Sequence, residues 1–309
     1  MLKYILRRTF YAVITLLVIT TLTFVLMKAL PGDPFNDPKL KPDVRQALRQ
    51  KYALDRPVLQ QYGIYMSNLA HGDLGTSLKF PGRSVSTIIK DSFPKSYALG
   101  WRAMLLATTL GLFFGLIAAL NHEKWIDYIV IFIAIVGVAV PNIVMGPFLS
   151  YIFGVKLGLL PVTVDKTSSS LILPVITLSL GTIAFVSRMM RTTTLEINGQ
   201  DYILTAKSKG ISKLQIVFKH IIRNAIMPVI TILGPLFAAI ITGSIVVEKV
   251  FAVAGLGEYF VNTILSQDYP MIMGITIFYA VLIIASMLFV DIAYSFIDPR
   301  IKSSIGGGD

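Results

Sequence analysis

The sequence predicts an all-α integral membrane protein with about six transmembrane helices. Its 309 residues are 54% hydrophobic and only 15% charged, with a mean hydropathy of +0.71, well outside the range of soluble domains. Six apolar stretches are each long enough to cross a bilayer as a helix. None shows the strict alternation of a barrel strand, and a helix alone satisfies its own backbone groups in lipid.

The first stretch, Thr9 to Leu30, follows Lys3, Arg7 and Arg8. A secretory signal has the same charge order, but its apolar region runs about 7 to 15 residues, whereas this run can span roughly 30 Å of hydrocarbon. An uncleaved first transmembrane helix is expected. The other five run from Ala98 to Leu120, Tyr128 to Phe153, Leu171 to Met190, Ile226 to Val247 and Met271 to Phe296. Helix-disrupting residues fall inside them, at Val138-Ala139-Val140-Pro141 with Gly146-Pro147, at Pro174 and Gly181, and at Gly234-Pro235 with Gly243. Such sites are tolerated in membranes where helices pack closely or line a wet cavity, and together they favour a helix set that moves.

Basic residues near the helix ends set the orientation. With the N-terminus cytoplasmic, the inner segments hold Lys3, Arg7, Arg8, Lys124, Arg188, Arg191, Lys207, Lys209, Lys213, Lys219, Arg223, Arg300 and Lys302, against Lys156, Lys166 and Lys249 in the short outer loops. Both termini are therefore expected inside. The net charge of +11 is explained by membrane orientation, without nucleic acid. Cysteine is absent, so no disulfide or thiolate metal site exists.

Two polar segments are too large to be simple connections. The outer one, from Pro31 to Tyr97, contains a short amphipathic helix from Pro42 to Tyr52 and then a turn-rich stretch through His71-Gly72-Asp73 and Phe80-Pro81-Gly82, and reads as a small folded cap. The inner one, Arg188 to Ala225, is basic, with helical spacing of Ile203, Ala206, Ile211, Leu214, Val217 and Phe218. A folded element there is suited to contact another protein.

Intramembrane catalysis needs nucleophiles, bases or metal ligands buried together. His71, His122 and His220 all fall in loops by this topology, and Asp291 is the one carboxylate well inside an apolar span. Asp298 and Arg300 follow closely, which favours an interfacial or salt-bridged role for Asp291 over a proton relay. No GxxxxGK[ST] sequence occurs, so the chain does not bind ATP in the P-loop manner. Gly255-Leu256-Gly257 follows a span and matches a dinucleotide motif only trivially. Energy must come from a partner or a gradient.

Within the inner segment stands Asp201-Tyr202-Ile203-Leu204-Thr205-Ala206-Lys207-Ser208-Lys209-Gly210-Ile211-Ser212, followed by His220, Arg223, Asn224 and Pro228. This resembles the coupling loop of bacterial ABC importer permeases, the "EAA" motif, in the version of the peptide permeases, where Thr-Ala-x-x-x-Gly precedes a basic helix and a proline. Gly210 is expected to supply a left-handed backbone that turns the chain back toward the next span. Leu204 stands where the motif's glutamate would be and Thr205 where its first alanine would be, so contacts of that carboxylate do not carry over. The opening Met1 to Arg8, Leu30-Pro31-Gly32-Asp33-Pro34, Leu69 to Gly75, Ile241 to Glu248 and Ile297-Asp298-Pro299-Arg300 are similar to the B-type permease of oligopeptide importers.

The resemblance covers essentially the whole chain and implies a type I ABC importer permease. In those terms residues 1–30 form the cytoplasmic end and first span, 31–97 an extracytoplasmic segment, and 98–309 a core of five spans that includes the cytoplasmic loop 188–225. Implied partners are a homologous C-type permease, two cytoplasmic ATPases that hold ATP and magnesium, an extracytoplasmic peptide-binding protein and membrane lipid. The chain would bind no cofactor or metal and have no ATPase site. The location implied is the bacterial cytoplasmic (inner) membrane. Implied coupling residues are Asp201, Tyr202, Thr205, Ala206, Lys207, Lys209, Gly210, Ile211 and Ser212. Gly234, Pro235, Gly243 and Ser244 are candidates to line the translocation path, although close helix packing explains small residues equally well. Permeases for dipeptides, nickel or another small solute of the same group are the nearest alternatives. A carrier driven by an ion gradient is the rival of a different class.

Overall fold

A computed structural model describes residues 2–29, 42–51, 53–165, 167–242 and 245–297. Its secondary structure is helical. Five helices are long and apolar enough to cross a membrane, or six if one bent pair counts as a single span. The chain divides into two compact units, residues 1–94 with 254–284, and residues 95–253 with 285–309.

In the first unit, α1 (Leu2–Ala29) is the apolar N-terminal helix, most of its side chains exposed as expected of a face turned to lipid. Its buried Phe24 meets Tyr62 edge-on at 5.3 Å and stacks with Tyr65 at 5.9 Å. Both tyrosines belong to α3 (Val58–Ala70). α2 (Pro42–Lys51) is the short helix expected after the first span, with proline at its first position, where no N–H is needed. The turn-rich stretch after α3 is folded, with Gly72, Gly75 and Gly82 all at positive φ and a bridge between Thr76 and Ser84. Asp268 ties this stretch to the connection between α12 (Leu256–Leu265) and α13 (Tyr269–Ile297). Its buried carboxylate accepts from Ser77 Oγ at 2.5 Å, from the Lys79 N–H at 3.0 Å, and from the Met271 N–H at 3.3 Å as the N-cap of α13. Val85, Ile88, Ile89, Leu256, Met271, Ile275 and Tyr279 form the core of this unit.

The second span begins earlier than hydropathy marks. α4 (Val85–Leu120) contains residues 85–97, which the sequence reading assigned to the outer segment, and carries Pro94 inside it. Hydropathy registers only the lipid-facing length, whereas the helix continues as long as its backbone bonds are satisfied.

In the second unit, α5 (Trp125–Ala139) and α6 (Asn142–Leu149) correspond to the third apolar stretch, but it is not one straight span. Between its two arms, Trp125–Ala139 and Asn142–Lys156, the chain bends by 109° across Val140 and Pro141. Pro141 is the N-cap of α6, and a π-helical turn at Ser150–Lys156 completes the second arm. α7 (Ile172–Asn198) also exceeds its expectation, extending two turns past Met190 and carrying Arg188 and Arg191 within the helix rather than in the loop. α8 (Asp201–Ser208), α9 (Lys213–Ile216) and a π-helical turn at Val217–Ile221 lead into α10 (Ile222–Thr242), which holds Pro228 and Pro235, and α11 (Ile245–Val250) follows. His220 therefore lies in a helical turn, not in a loop.

Close approach between α4 and α7 depends on two glycines. A Cβ on Gly111 would stand 2.6 Å from the Val186 Cβ, and one on Gly115 would stand 2.4 Å from the Ser187 carbonyl oxygen. Around that contact Val186, Met190, Ala225 and Val229 form a buried cluster, with Leu112 and Leu116 packed against it. A second cluster includes Leu99, Ala103, Leu173, Leu178, Val247 and Phe251.

Candidate coupling site

The segment Asp201–Ser212 folds as a helix, a turn and the start of a second helix. α8 ends in a Schellman motif: the Gly210 N–H donates to the Lys207 carbonyl at 3.0 Å and the Ile211 N–H to the Ala206 carbonyl at 3.2 Å. Gly210 takes φ +74°, the left-handed conformation expected of it from sequence, and a Cβ there would meet nothing within 4 Å. Its requirement for glycine is thus purely a matter of backbone conformation. Ser212 then caps α9, its hydroxyl accepting from the Gln215 N–H at 3.4 Å.

Behind the turn is a small core. Ile203, Ala206, Ile216 and Ile221 are buried, with Ile197, Ile211 and Val217 packed against them. Ala206 and Ile211 are therefore inward-facing, whereas Asp201, Tyr202, Thr205, Lys207, Lys209, Gly210 and Ser212 are exposed. Two residues of the predicted apolar stripe are not in it: Leu214 is 71% and Phe218 67% exposed. A stripe drawn through one continuous helix fails here because Gly210 restarts the helical phase. Leu204, in place of the motif's glutamate, is also exposed. The loop thus exposes Tyr202, Leu204, Leu214, Phe218 and several lysines over a core of its own. Thr205 Oγ1 donates back to the Asp201 carbonyl at 3.0 Å, and Lys207 Nζ donates to Asn198 Oδ1 at 3.2 Å, tying α8 to the end of α7.

Of the path candidates, Gly234 is buried and Pro235 is exposed on α10, while Gly243 and Ser244 lie outside the described residues. Asp291 belongs to α13, and its side chain lies outside them too, as do Leu30 to Pro34 and the tail from Asp298.

Sequence reasoning missed an ion pair two turns before the loop. Asp127, in the first turn of α5, has a buried carboxylate held in a fork by Arg191 of α7, with Nε to Oδ1 at 2.6 Å and the terminal nitrogen to Oδ2 at 2.7 Å. The Glu123 N–H donates to Asp127 Oδ2 at 3.1 Å, and His122 Nδ1 is 3.2 Å from that oxygen. In the sequence Arg191 stands out only as an inner positive charge, and Asp127 lies one residue outside the apolar stretch that begins at Tyr128. A carboxylate opening an otherwise uncharged apolar stretch was the available signal.

A family model described as "Binding-protein-dependent transport system inner membrane component" matches residues 111–303, and the corresponding N-terminal model matches residues 1–100. The dipeptide transport system permease protein DppB of Bacillus subtilis is 43% identical over 303 residues, covering 98% of both chains. The oligopeptide transport system permease protein OppB of Haemophilus influenzae is 41% identical over 305 residues, covering 98% of this chain and all of that protein (100%). In three dimensions the chain is similar to a solved amino acid ABC transporter, at TM-score 0.51 and 19% identity over 70% of this chain and 94% of that one. It is likewise similar to the inward-facing MetNI methionine ABC transporter, at TM-score 0.52 and 18% identity over 69% and 95%. At such identities these two likenesses speak for the fold alone. With both family models matched and full-length relatives of this identity, the chain belongs to the family of binding-protein-dependent transport system inner membrane components.

Proposed function

We propose that this chain is a transmembrane permease subunit of an ATP-binding-cassette importer that carries oligopeptides into the cytoplasm, driven by ATP hydrolysis in separate subunits. The observation that carries this reading is end-to-end similarity to peptide permeases. Relatives named for dipeptides and for oligopeptides stand within a few per cent of one another in identity, so dipeptides are the closest alternative cargo.

In this reading a similar C-type permease completes the pathway, two ATPases bind ATP and magnesium on the cytoplasmic side, and an extracytoplasmic binding protein delivers the peptide. Both termini and the loop around Asp201–Ser212 face the cytoplasm of a bacterial cell, within its cytoplasmic membrane. Closure of the ATPases on ATP pushes on that loop. Its own small core and the rigid Schellman turn support this role, because a lever has to move as a body to pass on force.

Purification of the tagged chain in mild detergent tests the assembly. A second permease and two ATPases are expected to follow it, and the reconstituted complex is expected to import peptide only with ATP and the binding protein. Transport by the chain alone would refute the reading.

A further inference from the structure

The loop can act only if its displacement reaches the spans, and the stretch Met190 to Thr194 of α7 is where the connections converge. Met190 packs in the cluster that holds Ala225 and Val229 of α10, with Leu112 and Leu116 of α4 against it. Thr193 Oγ1 donates to the Ala225 carbonyl at 3.1 Å. Arg191, between them, grips Asp127 of α5 through two hydrogen bonds. Helix α7 then runs unbroken to Asn198, and α8 begins at Asp201. One turn of α7 is thus joined to three other helices, about two turns ahead of the loop.

We propose that the Arg191–Asp127 pair is a transmission strut, positioning residues that carry the movement of the loop from α7 into α5 and the α4–α5 turn. This rests on the importer reading above. The apolar contacts to α4 and α10 can slide, because dispersion has no direction, whereas a forked guanidinium–carboxylate contact fixes both distance and orientation. It is also shielded: the Asp127 side chain is 2% and that of Arg191 20% exposed. A merely orienting charge at the membrane surface needs neither burial nor a fork. The Glu123 N–H and His122 approach the same carboxylate, so the α4–α5 turn is bound into the contact as well.

The test uses the complete complex in proteoliposomes, with Arg191→Lys, which keeps the charge and loses the fork, and Asp127→Asn, which keeps the shape and loses the charge. Imported peptide and hydrolysed ATP are measured together and normalised to assembled complex. A strut predicts that peptide imported per ATP falls roughly five-fold or more, the low end of typical coupling between sites. An unchanged ratio, with any loss of uptake tracking the amount of complex, would overturn the proposal. Should either single variant fail to assemble, Asp127→Asn combined with Arg191→Gln leaves no buried unpaired charge and is judged by the same ratio. Absence of ATP-dependent uptake in the unaltered complex would instead count against the importer reading, which keeps the two failures distinct.

Discussion

Gly210 shows how a single residue can be required without being crowded. Its φ of +74° would strain any residue with a Cβ by roughly 1–2 kcal/mol, least for asparagine, while no neighbouring atom stands in the way. Gly210→Val is therefore expected to lower peptide uptake by roughly 5- to 30-fold at normal membrane abundance, and Gly210→Asn to restore most of it. Equal uptake by the two variants would remove the backbone argument. Asp268 is the opposite case, required for what it touches. Asp268→Ala removes the acceptor of the buried Met271 N–H, at about 1–3 kcal/mol for a buried group left unpaired, and takes one bond each from the Ser77 hydroxyl and the Lys79 N–H, the latter keeping Ser77 Oγ at 3.2 Å. Earlier thermal unfolding in detergent and faster proteolysis within residues 71–84 are the expected readouts. Neither Asp268 nor Asp127 was legible as a bonded residue, because each depends on a partner 191 or 64 positions away.

At the scale of elements, apolar stretches placed the helices and misjudged their ends. α4 and α7 overrun their apolar stretches by 13 and 8 residues, since they begin at Val85 rather than Ala98 and end at Asn198 rather than Met190. A helix that leaves the bilayer loses its hydropathy signal without losing its hydrogen bonds. The break at Val140-Pro141 was visible in composition, because proline withholds an N–H, but its 109° angle was not. Packing of α4 on α7 gives a sharper prediction. Gly115→Ala drives a Cβ against the backbone of Ser187, which cannot rotate aside, so overpacking of about 1–3 kcal/mol is expected. The thermal midpoint of the purified complex should fall, while Gly63→Ala, inside α3 with nothing within 4 Å of the new Cβ, should not lower it, because alanine favours the helix.

For the whole molecule, the decisive prediction is orientation. The chain has no cysteine, so single cysteines report without background. Lys213→Cys and Lys79→Cys replace exposed residues on the two polar segments. An impermeant maleimide added to intact cells should label the position of Lys79 and spare that of Lys213 until the membrane is opened. The reverse pattern would place the basic loop outside, away from any ATPase, and the importer reading would fail with it.

The sequence by itself determined the solvent, the set of apolar stretches, the left-handed turn at Gly210 and membership in a permease family. All of these depend on composition or on residues close together in the chain. Only the tertiary structure decided which carboxylates are buried and bonded, where helices stop, and that Leu214 and Phe218 face outward while Ile216 and Ile221 face inward. Those outcomes depend on how one helix is rotated against another, and an ion pair such as Arg191–Asp127 arises only when two such rotations bring both groups to the same place.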